Sequence, residues 1–197
     1  MTKHLINCGH SAMLWGHYLT HGKRSPEIGP NIGSYEGEFN RAVGERLFHL
    51  LPDSRLLTPG PCNVTQATRR KNINWIASLE DVVVLSIHAN AAQNSGWQTK
   101  ASGARIFIRS KPWKKKALNN YYQSVEIASR IDNSFRNGPL PYPVRSLKQT
   151  ALIGIVKVKC PSILIECGFQ DNRIDAAYMA SESGRDEIAE MIADGVR

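Results

Sequence analysis

The sequence predicts an α/β fold: one domain over residues 1–197, with a mixed central sheet of about six strands and helices on both faces. Two observations carry this expectation. Short runs rich in Val and Ile, without helical period, alternate along the chain with amphipathic segments that have one. No Ser-rich or Pro-rich linker and no internal repeat divides the 197 residues, a length that buries one substantial core and is short for two.

The elements follow in order. Residues 5–8, 82–87, 104–108 and 163–167 read as buried strands, with weaker strands near 55–58 and 152–156. Phe39, Val43, Leu47, Leu50 and Leu51 recur at three-to-four spacing after Ser34 and predict a helix. Asn63, with Gln66 three residues on, predicts a capped helix to about Ile76. Leu118, Tyr121, Tyr122, Val125, Ile131 and Phe135 predict a longer helix closed by Gly138, and Ile188, Met191 and Ile192 mark the last one. Residues 9–33 carry Gly, Pro and His without period and read as a long surface loop beside a site. Residues 93–103, with Trp97, read as a second polar loop.

A formal charge of +8 favours a polyanionic partner: nucleic acid, a membrane surface or an anionic wall polymer. No RNA-binding aromatic signature, helix-turn-helix pattern or zinc-finger spacing supports nucleic acid. The longest aliphatic stretch, residues 82–85, is far below the roughly 18 residues of a membrane span, so no stable insertion is expected. The segment before Cys8 is too short for a signal peptide, which predicts a protein made in the cytoplasm. Cys8, Cys62, Cys160 and Cys167 lack C-x-x-C spacing and read as reduced.

Two histidines and two glutamates stand at the ends of strand-like runs or at a helix head: His10, Glu36, His88 and Glu166. Singly, a histidine after a strand is more often a satisfied polar residue than a ligand. Glu166 changes the weighting, because a glutamate inside Ile163-Leu-Ile-Glu-Cys167 would cost several kcal/mol if buried without a charged partner. A nearby dication supplies that compensation. Two imidazoles and a carboxylate form a ligand set for catalytic zinc, and a further carboxylate can move protons, so metal-assisted hydrolysis of an amide or ester is expected. His17 and His21 are four apart but bracketed by Gly16 and Gly22, and read as loop residues. Arg69-Arg-Lys71 and Lys114-Lys-Lys116 read as solvated faces.

These residues sit in motifs that resemble the zinc N-acetylmuramoyl-L-alanine amidases of the amidase-3 type, and the resemblance runs from end to end. Cys8-Gly-His10-Ser resembles a first-ligand motif commonly written D-x-G-H, and Glu36-Gly-Glu-Phe-Asn40 an E-x-x-x-N segment opening a helix. Ser86-Ile-His-Ala-Asn-Ala91 matches S-I-H-x-N-A, and Pro161-Ser-Ile-Leu-Ile-Glu-Cys-Gly-Phe-Gln-Asp-Asn172 matches P-x-x-L-x-E-x-G-F-x-x-N. The resemblance implies Zn2+ bound by His10, Glu36 and His88, with Glu166 as the catalytic acid and base. Asn90, Trp97 and Arg145 are further candidates for substrate contact.

The chain departs from the family pattern in one place and is ambiguous in another. Asn7-Cys8 displaces the usual aspartate, which removes its support for His10. Glu38 competes with Glu36 as the ligand; Glu36 is preferred because it stands four residues before Asn40, while Glu38 points to another side of the helix.

The expected reaction is hydrolysis of the amide between N-acetylmuramic acid and L-alanine in bacterial peptidoglycan, carried out at the cell wall by a monomer. The apparent lack of a leader and of an extra domain suggests a phage-type endolysin. A host autolysin fragment and a non-catalytic, basic wall-binding module are the alternatives.

Overall fold

The computed structural model describes residues 3–20, 23–93, 96–113, 115–150 and 157–197. In chain order the strands are β1 (Lys3–Cys8), β2 (Met13–Leu14), β3 (His17–Tyr18), β4 (Arg24–Gly29), β5 (Gly33–Tyr35), β6 (Ser54–Leu56), β7 (Val82–Asn90), β8 (Arg105–Arg109), β9 (Lys148–Thr150) and β10 (Ser162–Phe169). The helices are α1 (Glu36–Leu50), α2 (Gln66–Ile76), α3 (Leu118–Asn137), α4 (Arg173–Ala180) and α5 (Glu182–Val196).

Six strands form the central sheet in the order β6-β1-β7-β10-β8-β9. β6, β1, β7 and β10 run parallel, β10 and β8 antiparallel, and β8 and β9 parallel, so the sheet is mixed as expected. The sixth strand is Lys148–Thr150; the one expected at 152–156 lies outside the described residues.

Alternation along each strand decides which face a side chain takes. Ile6, Cys8, Val83, Leu85, Ile87, Ile163, Ile165 and Cys167 point to one side and join the apolar residues of α1, α3 and α5 in the larger core. Leu5, Val82, Val84 and Leu164 point to the other and pack with Ile73 of α2 in a smaller one. Asn7, Ser86, His88 and Glu166 share the parity of the second set. They therefore rise on the thinly covered face, toward the carboxyl ends of parallel strands, where ligands gather in open α/β sheets.

Three expectations are corrected. Residues 9–33 contain two small ribbons, β2 with β3 and β4 with β5, rather than a plain loop. Successive left-handed residues, Trp15 (φ 49) and Gly16 (φ 78), make the tight turn of the first. The cap of α2 is Thr65, whose side chain accepts from the Thr68 amide at 3.2 Å, and not Asn63. A separate helix, α4, precedes the last one and is capped by Asn172 through the amides of Ile174 and Asp175. Among the described residues, no helix is long and apolar enough to cross a membrane. The four cysteines are free, with Cys62 alone exposed.

Candidate metal centre

The end of β1 carries the first candidate ligand on a backbone that is clamped carbonyl by carbonyl. The Cys8 carbonyl accepts from Arg69 Nη1 at 2.6 Å and from Thr58 Oγ1 at 3.4 Å. The Gly9 carbonyl accepts from Asn40 Nδ2 at 3.0 Å, and that of His10 from Arg41 Nη2 and Arg69 Nη2, both at 3.1 Å. His10 needs this grip, because its φ of 60° lies in the left-handed region, which costs a non-glycine residue roughly 1–2 kcal/mol.

α1 then delivers Glu36 to the same place. Its Oε1 lies 3.1 Å from His10 Nε2 and 3.1 Å from His88 Nδ1, and also accepts from the Ala89 amide at 3.3 Å. The imidazoles stand at 89° to each other with centroids 5.4 Å apart. Burial by itself would raise the Glu36 carboxyl; hydrogen bonds and charge attraction from His10 and His88 overcome it and bring the pKa down to about 2.

Glu38 leaves the same turn in another direction and accepts from the Met13 amide, tying the β2–β3 ribbon to α1. Tyr18 of that ribbon accepts from the Gly37 amide at 2.9 Å, in place of a side-chain cap on α1. A Cβ at Gly37 would fall 1.5 Å from the Ser11 carbonyl oxygen, so only glycine allows the ribbon to cross here.

Glu166 sits opposite His88 in the β10–β7 register. Its Oε2 is inaccessible and unpartnered among the described residues, and burial raises the carboxyl to about 7, with His88 and Lys23 opposing and Glu36 adding to the rise. The residue retains some exposure through its other atoms, toward a cavity of about 470 Å³ lined also by His10, Glu36, His88, Lys23, Asn90 and the start of α2.

The donor set fits a metal. One ligand atom from each of His10, Glu36 and His88 lies within 4.8 Å of the others, and Glu36 Oε2, buried beside them, has no partner among the described residues. Two imidazoles with perpendicular rings and a carboxylate with a spare buried oxygen are a coordination shell in outline.

The other candidates separate. Asn90 lines the cavity, while its Oδ1 accepts from the Ala91 amide at 2.8 Å. Trp97 is not among the lining residues: its indole donates to Glu27 at 2.9 Å and lies under the Arg173 guanidinium at 4.7 Å. Arg145 is also elsewhere, donating to the Ser102 carbonyl at 2.8 Å and covering the Phe169 ring at 5.3 Å. His17 is exposed in β3, and His21 lies outside the described residues.

Sequence reasoning missed the arginines. Arg69, expected on a solvated face, is 4% exposed, with its guanidinium spread over Val64, Asn7, Cys8, Thr58 and His10. Its spacing of four from Ile73, on the buried side of α2, was a usable signal. Asn7 stands in this network, accepting from Arg69 at 2.7 Å and donating to Ser86 Oγ at 2.6 Å.

An α/β sheet that gathers a histidine, a glutamate and a histidine able to hold a metal ion, with a raised glutamate beside them at its strand ends, is an arrangement suited to hydrolysis. Residues 5–197 match the family described as N-acetylmuramoyl-L-alanine amidase, Amidase_3, and the chain belongs to it. The fold is also that of solved N-acetylmuramoyl-L-alanine amidases. One from Clostridium difficile 630 aligns with a TM-score of 0.78 at 22% identity, covering 99% of this chain and 94% of that one. AmiC2 of Nostoc punctiforme gives 0.76 at 20% identity, covering 99% and 94%. The catalytic domain of the CD27L endolysin, described as targeting Clostridia difficile, gives 0.68 at 20% identity, covering 100% and 97%. A comparison with curated proteins gives no match.

Proposed function

We propose that this amidase is zinc-dependent, that His10, Glu36 and His88 hold the zinc, and that Glu166 is its catalytic acid and base. The observation that carries the reading is the convergence of the three ligand atoms within 4.8 Å beside the unpartnered Glu166 carboxylate. When bound, zinc supplies a Lewis acid that polarises the scissile carbonyl and lowers the pKa of water toward about 7.

The chain's own residues do the rest. Glu166 takes a proton from the attacking water as its oxygen bonds to the lactyl carbonyl carbon. The same carboxyl then gives that proton to the alanine nitrogen as the C–N bond breaks, leaving a free amine on the peptide and a carboxylic acid on the sugar, which loses its remaining proton to solvent to become a carboxylate. A buried carboxyl raised to about 7 is poised between both tasks near neutral pH. Arg41, Arg69 and Asn40 keep the 8–10 backbone from relaxing, so His10 meets the metal in a preset orientation.

Zinc analysis together with digestion of purified peptidoglycan tests the reading. The expected result is one zinc per chain and released peptides with N-terminal alanine, lost on chelation and restored by zinc. New reducing sugar ends would mean glycosidase chemistry. Neither metal nor cleavage would return the chain to a basic wall-binding module.

The setting we propose is lysis by a phage-type endolysin, a reading supported by the likeness to the CD27L catalytic domain, and we propose a monomer as the acting form. Rapid lysis on expression in cells with a permeabilised inner membrane is the expected behaviour.

A further inference from the structure

The cavity beside the candidate metal centre has two cationic residues in its wall, Arg69 and Lys23. Arg69 is buried, and its nitrogens already donate to five oxygens. Lys23 differs in every respect. Its side chain is exposed, and its ammonium has no hydrogen bond or ion pair among the described residues. Its backbone is nonetheless held firmly against the site: the Lys23 carbonyl accepts from the Glu36 amide at 2.9 Å, and its own amide donates to the Thr20 carbonyl at 3.3 Å. A fixed backbone with a free cationic head at the cavity wall is a built contact point for an anion.

The anion must belong to something that projects from the scissile amide. Lys23 is exposed, whereas Glu36 Oε2, of the candidate metal ligand, and Glu166 Oε2, of the proposed acid and base, are fully buried. Charge developing on the reacting oxygen falls beside the candidate metal, deeper than the lysine. The substrate's peptide limb offers such a carboxylate: the stem residue following L-alanine is a γ-linked glutamate, whose α-carboxylate is free in some walls and amidated in others. Resting on the amidase reading above, we infer that Lys23 is a specificity residue that binds this free α-carboxylate, so the enzyme prefers stems with glutamate over those with isoglutamine. An ammonium donating to a carboxylate gains more than it would from a neutral amide, and the difference for a charge-assisted hydrogen bond corresponds to about tenfold in kcat/KM.

The test uses two soluble muropeptides identical except for glutamate or isoglutamine at that position, with the zinc-loaded wild type, Lys23→Ala, Lys23→Arg and Lys23→Glu. Wild type should favour the glutamate substrate by about tenfold, mainly through KM. Lys23→Ala should bring the two substrates within about twofold of each other, Lys23→Arg should restore the preference and Lys23→Glu should invert it. Calorimetric titration of the released peptides into each protein should show the same split in affinity. A preference retained in Lys23→Ala would overturn the proposal. So would an equal fall in kcat on both substrates, which would place the lysine at the reacting oxygen instead. Wild type that cleaves neither muropeptide would overturn the amidase reading itself, and this inference with it.

Discussion

Gly9 lies flat against the imidazole of His88: a Cβ at position 9 would fall 2.2 Å from Cε1 of that ring and 2.5 Å from Nδ1. The approach is closer than any side chain permits, so the glycine before His10 serves the other histidine. Gly9→Ala should push His88 away from Glu36 while leaving the β1–β7 pairing intact. Zinc affinity should fall by about 10- to 100-fold, the range for disturbing a ligand's support, and activity with it. Metal titration of the folded variant, checked by circular dichroism, measures this; wild-type affinity would show that His88 is not a ligand.

Glu36 and Glu38 are separable in the same way. Glu36→Ala removes a ligand and should lose zinc and activity together, because two imidazoles hold the ion poorly. Glu38→Ala removes only the acceptor for the Met13 amide, so zinc should stay and the β2–β3 ribbon should loosen. Metal analysis of proteins purified without added zinc, with amide exchange of residues 11–20, distinguishes them. Zinc lost from Glu38→Ala and kept in Glu36→Ala would reverse the assignment.

Glu166→Gln should keep the fold and the zinc and lower kcat by about 100- to 10,000-fold. The pH dependence has a definite sign. The base must be ionised, so activity rises with pH, and with the carboxyl raised to about 7 by burial the acidic limb lies at or below neutrality, lower still with a dication beside it. In metal-free protein the raised carboxyl acts on stability instead. Below its ordinary value of 4.5 it is neutral in both states and contributes no penalty; as pH rises through about 7, folding loses roughly 3 kcal/mol. Chelated Glu166→Gln should therefore melt higher than chelated wild type at pH 8 and equal it at pH 4. Equal melting at pH 8 would show that the carboxyl is not held in a desolvated place.

Arg69 carries a buried charge whose hydrogen-bond partners are all neutral oxygens, and burial together with Arg41 lowers its pKa. Asn7→Asp would set a carboxylate where the amide oxygen now accepts from Arg69 at 2.7 Å, while Ser86 keeps a bonding partner. The expected gain is about 1 kcal/mol, or a rise of about 2–4 °C in Tm for a domain of this size. Thermal unfolding checks it; a lower Tm would mean that neutral oxygens already suit the guanidinium.

Strand and helix periods, with the motifs around His10, Glu36, His88 and Glu166, were determined by the sequence itself, because alternation and three-to-four spacing are local properties of a chain. The parity that puts Asn7, Ser86, His88 and Glu166 on one sheet face could likewise be read from the strands once their bounds were known. Only the tertiary structure showed that Glu36, and not Glu38, meets the two imidazoles, since one helical turn offers both carboxylates and the imidazoles are brought from elsewhere in the chain. It also turned Arg69 from a presumed surface charge into a buried clamp and took Trp97 and Arg145 to other partners. A long polar side chain can satisfy itself on many surfaces, so its partner is a property of the packed fold and leaves no local pattern to read.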